Sequence, residues 1–168
     1  MIKVTTTNIE GLKVIEPKII NDGRGFFFES FNQKNFNELV CSKAIFVQDN
    51  HSKSSQGVIR GLHYQRPPFE QAKLVRVVSG EIFDVAIDLR KSSKFFGKWF
   101  GLKLSSTNMK QLWIPKGFAH GFLVLSETAE IVYKTDQFYN HAYEGVISWE
   151  HKDIGINWDI PREKVILS

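Results

Sequence analysis

The sequence predicts an all-β domain, a sandwich or a barrel, built from many short strands joined by tight turns. Aromatic residues are abundant, with 14 Phe, 4 Trp and 4 Tyr in 168 residues, and aromatic side chains favour pleated sheets. Short apolar runs recur between Gly, Ser, Asn and Pro, which is the spacing expected of an all-β fold. In one run Phe83, Val85 and Ile87 alternate with Asp84 and Asp88, and this period of two is typical of a strand.

The elements follow from these runs in chain order. Ten predicted strands cover residues 12–16, 25–31, 44–47, 73–78, 81–89, 98–104, 111–114, 122–125, 130–134 and 145–149. A further apolar strand spans residues 58–65. Ser79 and Gly80 indicate a hairpin turn before residue 81. Residues 32–40 predict a short helix, because Phe36, Leu39 and Val40 form one apolar side.

Size, charge and cysteine content narrow the class of protein. A chain of 19.3 kDa predicts a single domain over residues 1–168. The net charge of +4 suits an anionic ligand but is too small to indicate nucleic acid. The single cysteine, Cys41, excludes an internal disulfide and favours a reducing compartment such as the cytoplasm. No apolar run reaches the length of a membrane span, and the first ten residues do not resemble a secretory signal.

The first candidate site lies in the strand over residues 58–65. Arg60 and His63 are both unusual in an apolar strand, although a half-buried, hydrogen-bonded His is an equally good interpretation. Three residues apart, their side chains would point to opposite faces of a regular strand. If both serve one cavity, the chain must bend between them, and Gly61 is where a bulge would be tolerated.

The second candidate site is the Pro115-x-Gly117-x-x-His120 order. It resembles one half of the cupin motif. The other half of that motif would place a metal-binding Glu where this chain has Lys73, and a second His where it has Gln65. A protonated ammonium cannot ligate a metal, and two separated His residues are too few for a zinc or iron site. The resemblance therefore implies a cupin barrel without a metal.

Three other segments keep simpler interpretations open. Tyr133 is either a packed core residue or faces a cavity. Phe138 and Tyr139, followed by Glu144, either pack in the core or stack on a nucleotide base. The basic and aromatic residues between positions 90 and 103 suit a solvated strand face better than a nucleic-acid surface.

Taken together, these segments resemble the dTDP-4-dehydrorhamnose 3,5-epimerase family. The matching stretches are residues 22–29, 46–52, 58–65, 73–90, 111–122 and 129–139. The resemblance implies a cupin-type jelly-roll barrel with one or two short helices, acting as a homodimer without metal or other cofactor. The implied substrate is a dTDP-linked 4-keto-6-deoxyhexose, the enzyme is an isomerase, and its product belongs to L-rhamnose biosynthesis. Neither nucleic acid nor membrane is an expected partner.

The resemblance also assigns roles to individual residues. His63 matches the general base, Tyr133 the general acid, and Lys73 and His120 the groups around the sugar ketone. The matching substrate contacts are Arg24, Glu29, Gln48, Asp49, Asn50, Arg60 and Glu144, with Tyr139 stacking on thymine. These roles agree with the chemistry, because removing a proton beside a ketone creates an enolate that needs donors aimed at its oxygen. Inversion of a carbon also requires a base and an acid on opposite faces of the sugar.

One departure from the family and two alternative functions stay open. Members generally continue with a Ser-x-x-Asp segment beyond the position of Ser168, and its Asp orients the base. Water or another carboxylate can partly substitute for it, and Asp84 is the candidate carboxylate here. The alternatives are an enzyme that inverts C3 or C5 alone on a related nucleotide-linked keto sugar, and a catalytically impaired cupin that binds nucleotide sugars.

Overall fold

Two antiparallel sheets face each other in the computed structural model, which describes residues 2–168. The strand order is β1-β2-β10-β7-β12-β5 in the first sheet and β13-β6-β11-β8-β9 in the second, with β14 parallel to β6; β3 and β4 form a separate hairpin. The strands are β1 (Lys3–Thr6), β2 (Lys13–Glu16), β3 (Ile20–Asp22), β4 (Gly25–Phe27), β5 (Gln48–Ser55), β6 (Val58–Gln65), β7 (Lys73–Ser79), β8 (Glu81–Asp88), β9 (Trp99–Ser105), β10 (Gln111–Ile114), β11 (Phe118–Val124), β12 (Thr128–Thr135), β13 (Glu144–Val146) and β14 (Ile166–Leu167). The predicted all-β jelly roll is confirmed.

The main core fills the space between the two sheets. Its buried side chains include Val75 and Ile131 from the first sheet and Ile82, Ala86 and Phe122 from the second. A jelly roll of this kind closes around its core and leaves room for a cavity at one end.

The predicted helix is also confirmed. Helix α1 (Gln33–Leu39) is preceded by Asn32, whose side chain accepts a hydrogen bond from the backbone N–H of Asn35 at 3.2 Å. Asn is a favoured residue at this capping position. The ring of Phe36 packs on Trp113 with centroids 5.1 Å apart, so the helix covers the outer face of the first sheet. Two short 3₁₀ turns (His141–Tyr143 and Arg162–Lys164) complete the helical content of the described residues.

The bend expected at Gly61 is present and has the form of a bulge. Between β6 and β11, His63 pairs with His120 and Arg60 pairs with Phe122, so β6 contains one extra residue. Gly61 has φ +119°, and a Cβ there would lie 2.6 Å from the Cα of Gly121. The bulge explains how Arg60 and His63, three residues apart, serve one face of the sheet.

The structure corrects the sequence prediction around β5. Residues 44–47, predicted as a strand, precede the strand, and Ala44 packs in the apolar cluster beneath α1. The strand itself is Gln48–Ser55, paired with β12 along its full length. Its sequence is polar on both faces, so it lacks the alternation that would have predicted it. The short strands β1, β3 and β14 were also missed.

The helices of residues 2–168 are all too short or too polar to cross a bilayer.

Candidate active site

A cavity of about 210 Å³ opens between the two sheets at one end of the barrel. It brings together all four predicted catalytic residues and three of the predicted substrate contacts, namely His63, Lys73, His120, Tyr133, Arg60, Tyr139 and Glu144. These residues come from five different strands and one loop, so only the folded barrel assembles them.

The two walls of the cavity carry different parts of the set. His63 on β6 and His120 on β11 belong to the second sheet, while Lys73 on β7 and Tyr133 on β12 belong to the first. His63 and His120 are direct cross-strand neighbours. The predicted base and the predicted acid therefore face each other across the cavity from opposite sheets.

His63 lies beside a carboxylate. Its Nδ1 is 3.1 Å from Oε1 of Glu144, yet this shielded nitrogen has no aligned hydrogen bond in the described residues. Burial lowers the pKa of His63, the Glu144 carboxylate opposes that effect, and the positive charge of Lys73 adds to it. The result is an imidazole that is unprotonated near neutral pH, as a general base must be. A proton on Nδ1, facing Glu144, leaves Nε2 free to act.

Lys73 is the buried cation of the site. Its side chain is only 9% exposed, and its Nζ lies 5.9 Å from the centre of the Tyr133 ring. Burial lowers the pKa of Lys73 from 10.5 to about 8, against the opposing charges of Asp84 and Glu144. At neutral pH the ammonium is still mainly charged, so Lys73 can donate to a developing oxyanion.

His120 is paired with Asp84, which corrects our expectation for that carboxylate. Oδ1 of Asp84 lies 2.7 Å from Nε2 of His120, and both side chains are buried. Asp84 therefore does not orient His63, and the carboxylate beside His63 is Glu144. Sequence reasoning could not distinguish the two histidines, because both face the same cavity and lie on neighbouring strands.

Tyr133 and Arg60 complete the polar wall. Burial raises the pKa of Tyr133, with the charge of Arg60 opposing the effect, so the phenol keeps its proton at neutral pH. Nε of Arg60 donates to Oγ of Ser54 at 2.9 Å. This bond fixes the guanidinium at the cavity, where an anionic group would meet it.

A hydrogen-bonded loop carries Tyr139 at the mouth of the cavity. The Tyr139 hydroxyl donates to Oε2 of Glu144 at 2.9 Å, and its backbone N–H donates to Oε1 of Gln48 at 3.1 Å. Gln48 in turn donates to Oδ1 of Asn50 at 3.0 Å. Half of the Tyr139 side chain remains exposed, so its ring is available to a planar ligand.

Five of the eight predicted substrate contacts do not line the cavity. Two of them, Gln48 and Asn50, are linked to the backbone of Tyr139 as described above, and the other three are Asp49, Arg24 and Glu29. Asp49 forms an ion pair with Lys134 at 2.9 Å, and strand alternation places both on the face of the sheet opposite Tyr133. Arg24, in the turn of the β3–β4 hairpin, is 91% exposed and pairs with Asp22. Glu29 accepts a hydrogen bond from Asn32 at 3.0 Å beside helix α1.

Sequence reasoning missed six cavity residues, which are Ser52, Tyr64, Gln65, Gln71, Phe122 and Ser168. Gln65 was noticed only as the replacement of a metal-binding His. Its side-chain amide donates to the carbonyl of Phe69 at 2.7 Å and accepts from the N–H of Asn140 at 2.6 Å. Gln65 thus holds the loop that carries Tyr139, a role that no local sequence pattern indicates.

The donor set of the cavity differs from that of a metal site. Among residues 2–168, no group of three His, Cys, Asp or Glu side chains is arranged to hold a metal ion. A buried ammonium occupies the position of the cupin carboxylate, and the two cavity imidazoles are each beside a carboxylate instead of converging on one point.

Fold and cavity together define a jelly-roll protein with a buried polar site, in which imidazole, ammonium and phenol side chains from two facing sheets line one cavity. Residues 6–168 match the family described as dTDP-4-dehydrorhamnose 3,5-epimerase, and the chain belongs to that family. Its members are isomerases.

Individual relatives agree with this assignment. The dTDP-4-dehydrorhamnose 3,5-epimerase of Shigella flexneri is 59% identical over 157 residues, covering 94% of this chain and 87% of the relative. A Legionella pneumophila epimerase, solved in complex with dTDP-4-keto-L-rhamnose, superposes with a TM-score of 0.96 at 48% identity, covering 100% of this chain and 88% of that one. A 3'-monoepimerase from Streptomyces bikiniensis, in complex with dTDP-quinovose, has a TM-score of 0.87 at 30% identity, covering 96% and 81%.

Proposed function

We propose that this chain inverts C3 and C5 of dTDP-4-keto-6-deoxy-D-glucose, as dTDP-4-dehydrorhamnose 3,5-epimerases do in dTDP-L-rhamnose biosynthesis. The observation that carries the proposal is the opposition of His63 and Tyr133 across one cavity, with Lys73 and His120 on its walls. Family membership supports the substrate class.

His63 is the proposed base. The C4 ketone acidifies the protons on both neighbouring carbons, and these two protons lie on the same face of the D-gluco ring, so one base can remove either. Burial lowers the pKa of His63, which keeps Nε2 unprotonated at neutral pH. Glu144 favours the tautomer with a proton on Nδ1 and stabilises the imidazolium that forms when the base accepts a proton.

Lys73 and His120 are the proposed partners of the enolate oxygen. Removing the proton moves negative charge onto the oxygen at C4, and a fixed donor in a water-poor cavity stabilises that charge strongly. The ammonium of Lys73 supplies a full positive charge from the first sheet. His120 adds a ring nitrogen from the second sheet, so both sides of the ketone are covered.

Tyr133 is the proposed acid. Inversion requires that the new proton arrives on the face opposite the one that lost it, and Tyr133 lies on the sheet opposite His63. Burial raises the pKa of its hydroxyl, which keeps the proton available until a carbanion-like centre accepts it. Neither step needs a cofactor, because the proton removed and the proton returned balance.

The nucleotide is proposed to lie at the mouth of the cavity. Tyr139 offers an exposed ring for stacking on thymine, and such stacking contributes about 1–3 kcal/mol in single-strand binders. Arg60 suits the diphosphate. Gln48 and Asn50, linked to the backbone of Tyr139, support this end of the site.

We propose a homodimer because the cavity of one chain does not contain Arg24, Glu29 or Asp49, three of the predicted substrate contacts. The β3–β4 hairpin exposes Phe26 and Phe27 by 59% and 68%, which is a large apolar surface for a hairpin. Arg24 and Glu29 on this hairpin and the segment after it lie outside the chain's own cavity. A second copy that buries the rings would bring these two residues, and Asp49 on the outer sheet face, near an interface.

We further propose that residues 1–168 act as a single domain in the cytoplasm, where the lone Cys41 would stay reduced. The likeness to a 3'-monoepimerase keeps inversion of one carbon as the second candidate function.

The test is formation of dTDP-L-rhamnose, using the next reductase in the pathway to trap the doubly inverted ketone. We expect turnover by the wild-type chain and a fall of about 10²- to 10⁴-fold in the His63→Ala variant, the usual range for a general base. His151→Ala is the matched control, since His151 is exposed outside the cavity and its loss should leave the rate unchanged. Tight substrate binding without turnover by the wild type would refute the proposal and indicate a nucleotide-sugar-binding protein.

A further inference from the structure

Asp84 is a buried carboxylate whose hydrogen-bonded partner is a cavity residue. It lies in the middle of β8, fully buried, and its Oδ1 is 2.7 Å from Nε2 of His120 on the neighbouring strand β11. In the register of these strands Asp84 pairs with Phe122 and His120 with Ala86. The two polar side chains are therefore diagonal neighbours on one face of the sheet.

Packing alone does not explain this carboxylate. Oδ2 of Asp84 is buried and has no hydrogen-bond partner in residues 2–168, and leaving such an atom unsatisfied is destabilising. Asp88, four residues along the same strand and equally buried, is different. Both of its oxygens accept hydrogen bonds, from Arg90 and Ser93, as expected of a purely structural aspartate.

We propose that Asp84 is a positioning residue that holds His120 with Nε2–H toward Asp84 and Nδ1 toward the sugar ketone. This inference rests on the proposed function. A neutral ring held in this way presents Nδ1 as an acceptor, which cannot stabilise an enolate oxygen. Only the imidazolium has a donor on Nδ1, and the negative charge of Asp84 stabilises that positively charged ring. Asp84 therefore sets the direction of the ring and places a counter-charge 2.7 Å from Nε2.

The same carboxylate also acts on the second cation of the site. The charge of Asp84 opposes the effect of burial on the pKa of Lys73, so it favours the protonated ammonium. One buried aspartate thus contacts His120 directly and also favours the positive charge of Lys73. The other titratable or charged side chains facing the cavity are Arg60, His63 and Tyr64 on β6, Tyr133 on β12, Tyr139 in the loop before β13, and Glu144 on β13.

The inference predicts specific kinetics for Asp84→Asn, which keeps the size of the side chain and removes its charge. We expect kcat to fall about 10- to 100-fold, the usual cost of losing an orienting carboxylate, while the Kd for dTDP stays within about twofold. The alkaline limb of the pH profile should move to lower pH, because the pKa of Lys73 falls when the negative charge of Asp84 is removed. Asp88→Asn is the matched control, and it should lower stability without lowering kcat.

A double-mutant cycle tests whether Asp84 acts through His120. Compared on the plateau of each pH profile, where Lys73 is protonated in every variant, the Asp84→Asn, His120→Asn double variant should be about as slow as His120→Asn alone. Multiplying losses, or a wild-type kcat in Asp84→Asn, would overturn the inference.

A measurement on the wild-type protein tests the inference independently of turnover and of the folding of the variants. The ¹⁵N shifts of the His120 ring should report a proton on Nε2, the nitrogen that faces Asp84. A ring protonated on Nδ1 alone would refute the positioning role. If Nε2 carries this proton and the wild type does not epimerise, the proposed function fails while the Asp84–His120 pairing stands.

Discussion

Lys73→Met should make the protein more stable while abolishing its activity. Burial lowers the pKa of Lys73 from 10.5 to about 8, which means that the native state holds this proton less tightly than the unfolded chain. At about 1.4 kcal/mol per pH unit, the difference corresponds to roughly 3 kcal/mol of unfolding free energy lost at pH 7. A methionine fills a similar volume without the charge, so it removes this cost together with the proposed donor to the enolate.

The sign of the pH dependence provides a sharper test than stability at one pH. Below pH 8 the lysine is charged in both states and its cost is fully present. Between pH 8 and 10.5 the unfolded state binds more protons, so the wild type gains stability with rising pH. The advantage of Lys73→Met over the wild type should therefore shrink from about 3 kcal/mol at pH 7 toward zero near pH 10.5.

Urea denaturation of both proteins at several pH values measures this difference, and effects of the other titrating groups largely cancel in it. Lys98→Met is the control, because Lys98 is exposed and the same chemical change there should alter stability little. A variant no more stable than the wild type at pH 7, or a stability difference independent of pH, would refute the reasoning. Retained turnover in Lys73→Met would remove Lys73 from the mechanism.

Three further predictions concern the bulge, the acid and metals. Gly61→Ala should lower the free energy of unfolding, measured by urea titration, by about 2–6 kcal/mol, because it combines a positive φ with a backbone clash. The control is Gly97→Ala, where φ is +75° but nothing lies within 4 Å of the added Cβ, and it should cost only about 1–3 kcal/mol. Equal losses in the two variants would contradict the clash. Tyr133→Phe should slow product formation about 10²- to 10⁴-fold while solvent-deuterium exchange falls much less, and parallel loss of both would argue against its role as acid. EDTA should leave kcat unchanged, and a rate restored by added metal would overturn the metal-free mechanism.

Much of the fold was predictable because most strands have one buried face. Strands β7, β8, β9 and β10 match the predicted runs to within about two residues, since their apolar residues pack in the core. The bulge was predictable for a different reason. Arg60 and His63 can reach one cavity only if the strand contains an extra residue, and Gly61 stood between them.

The rest depended on information that a single sequence does not contain. Strand β5 is polar on its cavity face as well as on its outer face, so hydrophobic alternation could not identify it. The partner of Asp84 depends on the register of β8 against β11, which two similar histidines leave undetermined. Arg24 and Glu29 were assigned by resemblance to a site that one chain does not assemble, and their part in catalysis stays a prediction about the dimer.

The most direct test of the mechanism is proton NMR of dTDP-4-keto-6-deoxy-D-glucose with the enzyme in D₂O. The proposed opposition of His63 and Tyr133 across the cavity predicts that the signals at C3 and C5 both disappear as solvent deuterium replaces each proton during inversion. Loss of one signal alone would contradict the double inversion and indicate a monoepimerase. Persistence of both signals, when a separate measurement shows that the substrate binds, would contradict acid–base catalysis in this cavity.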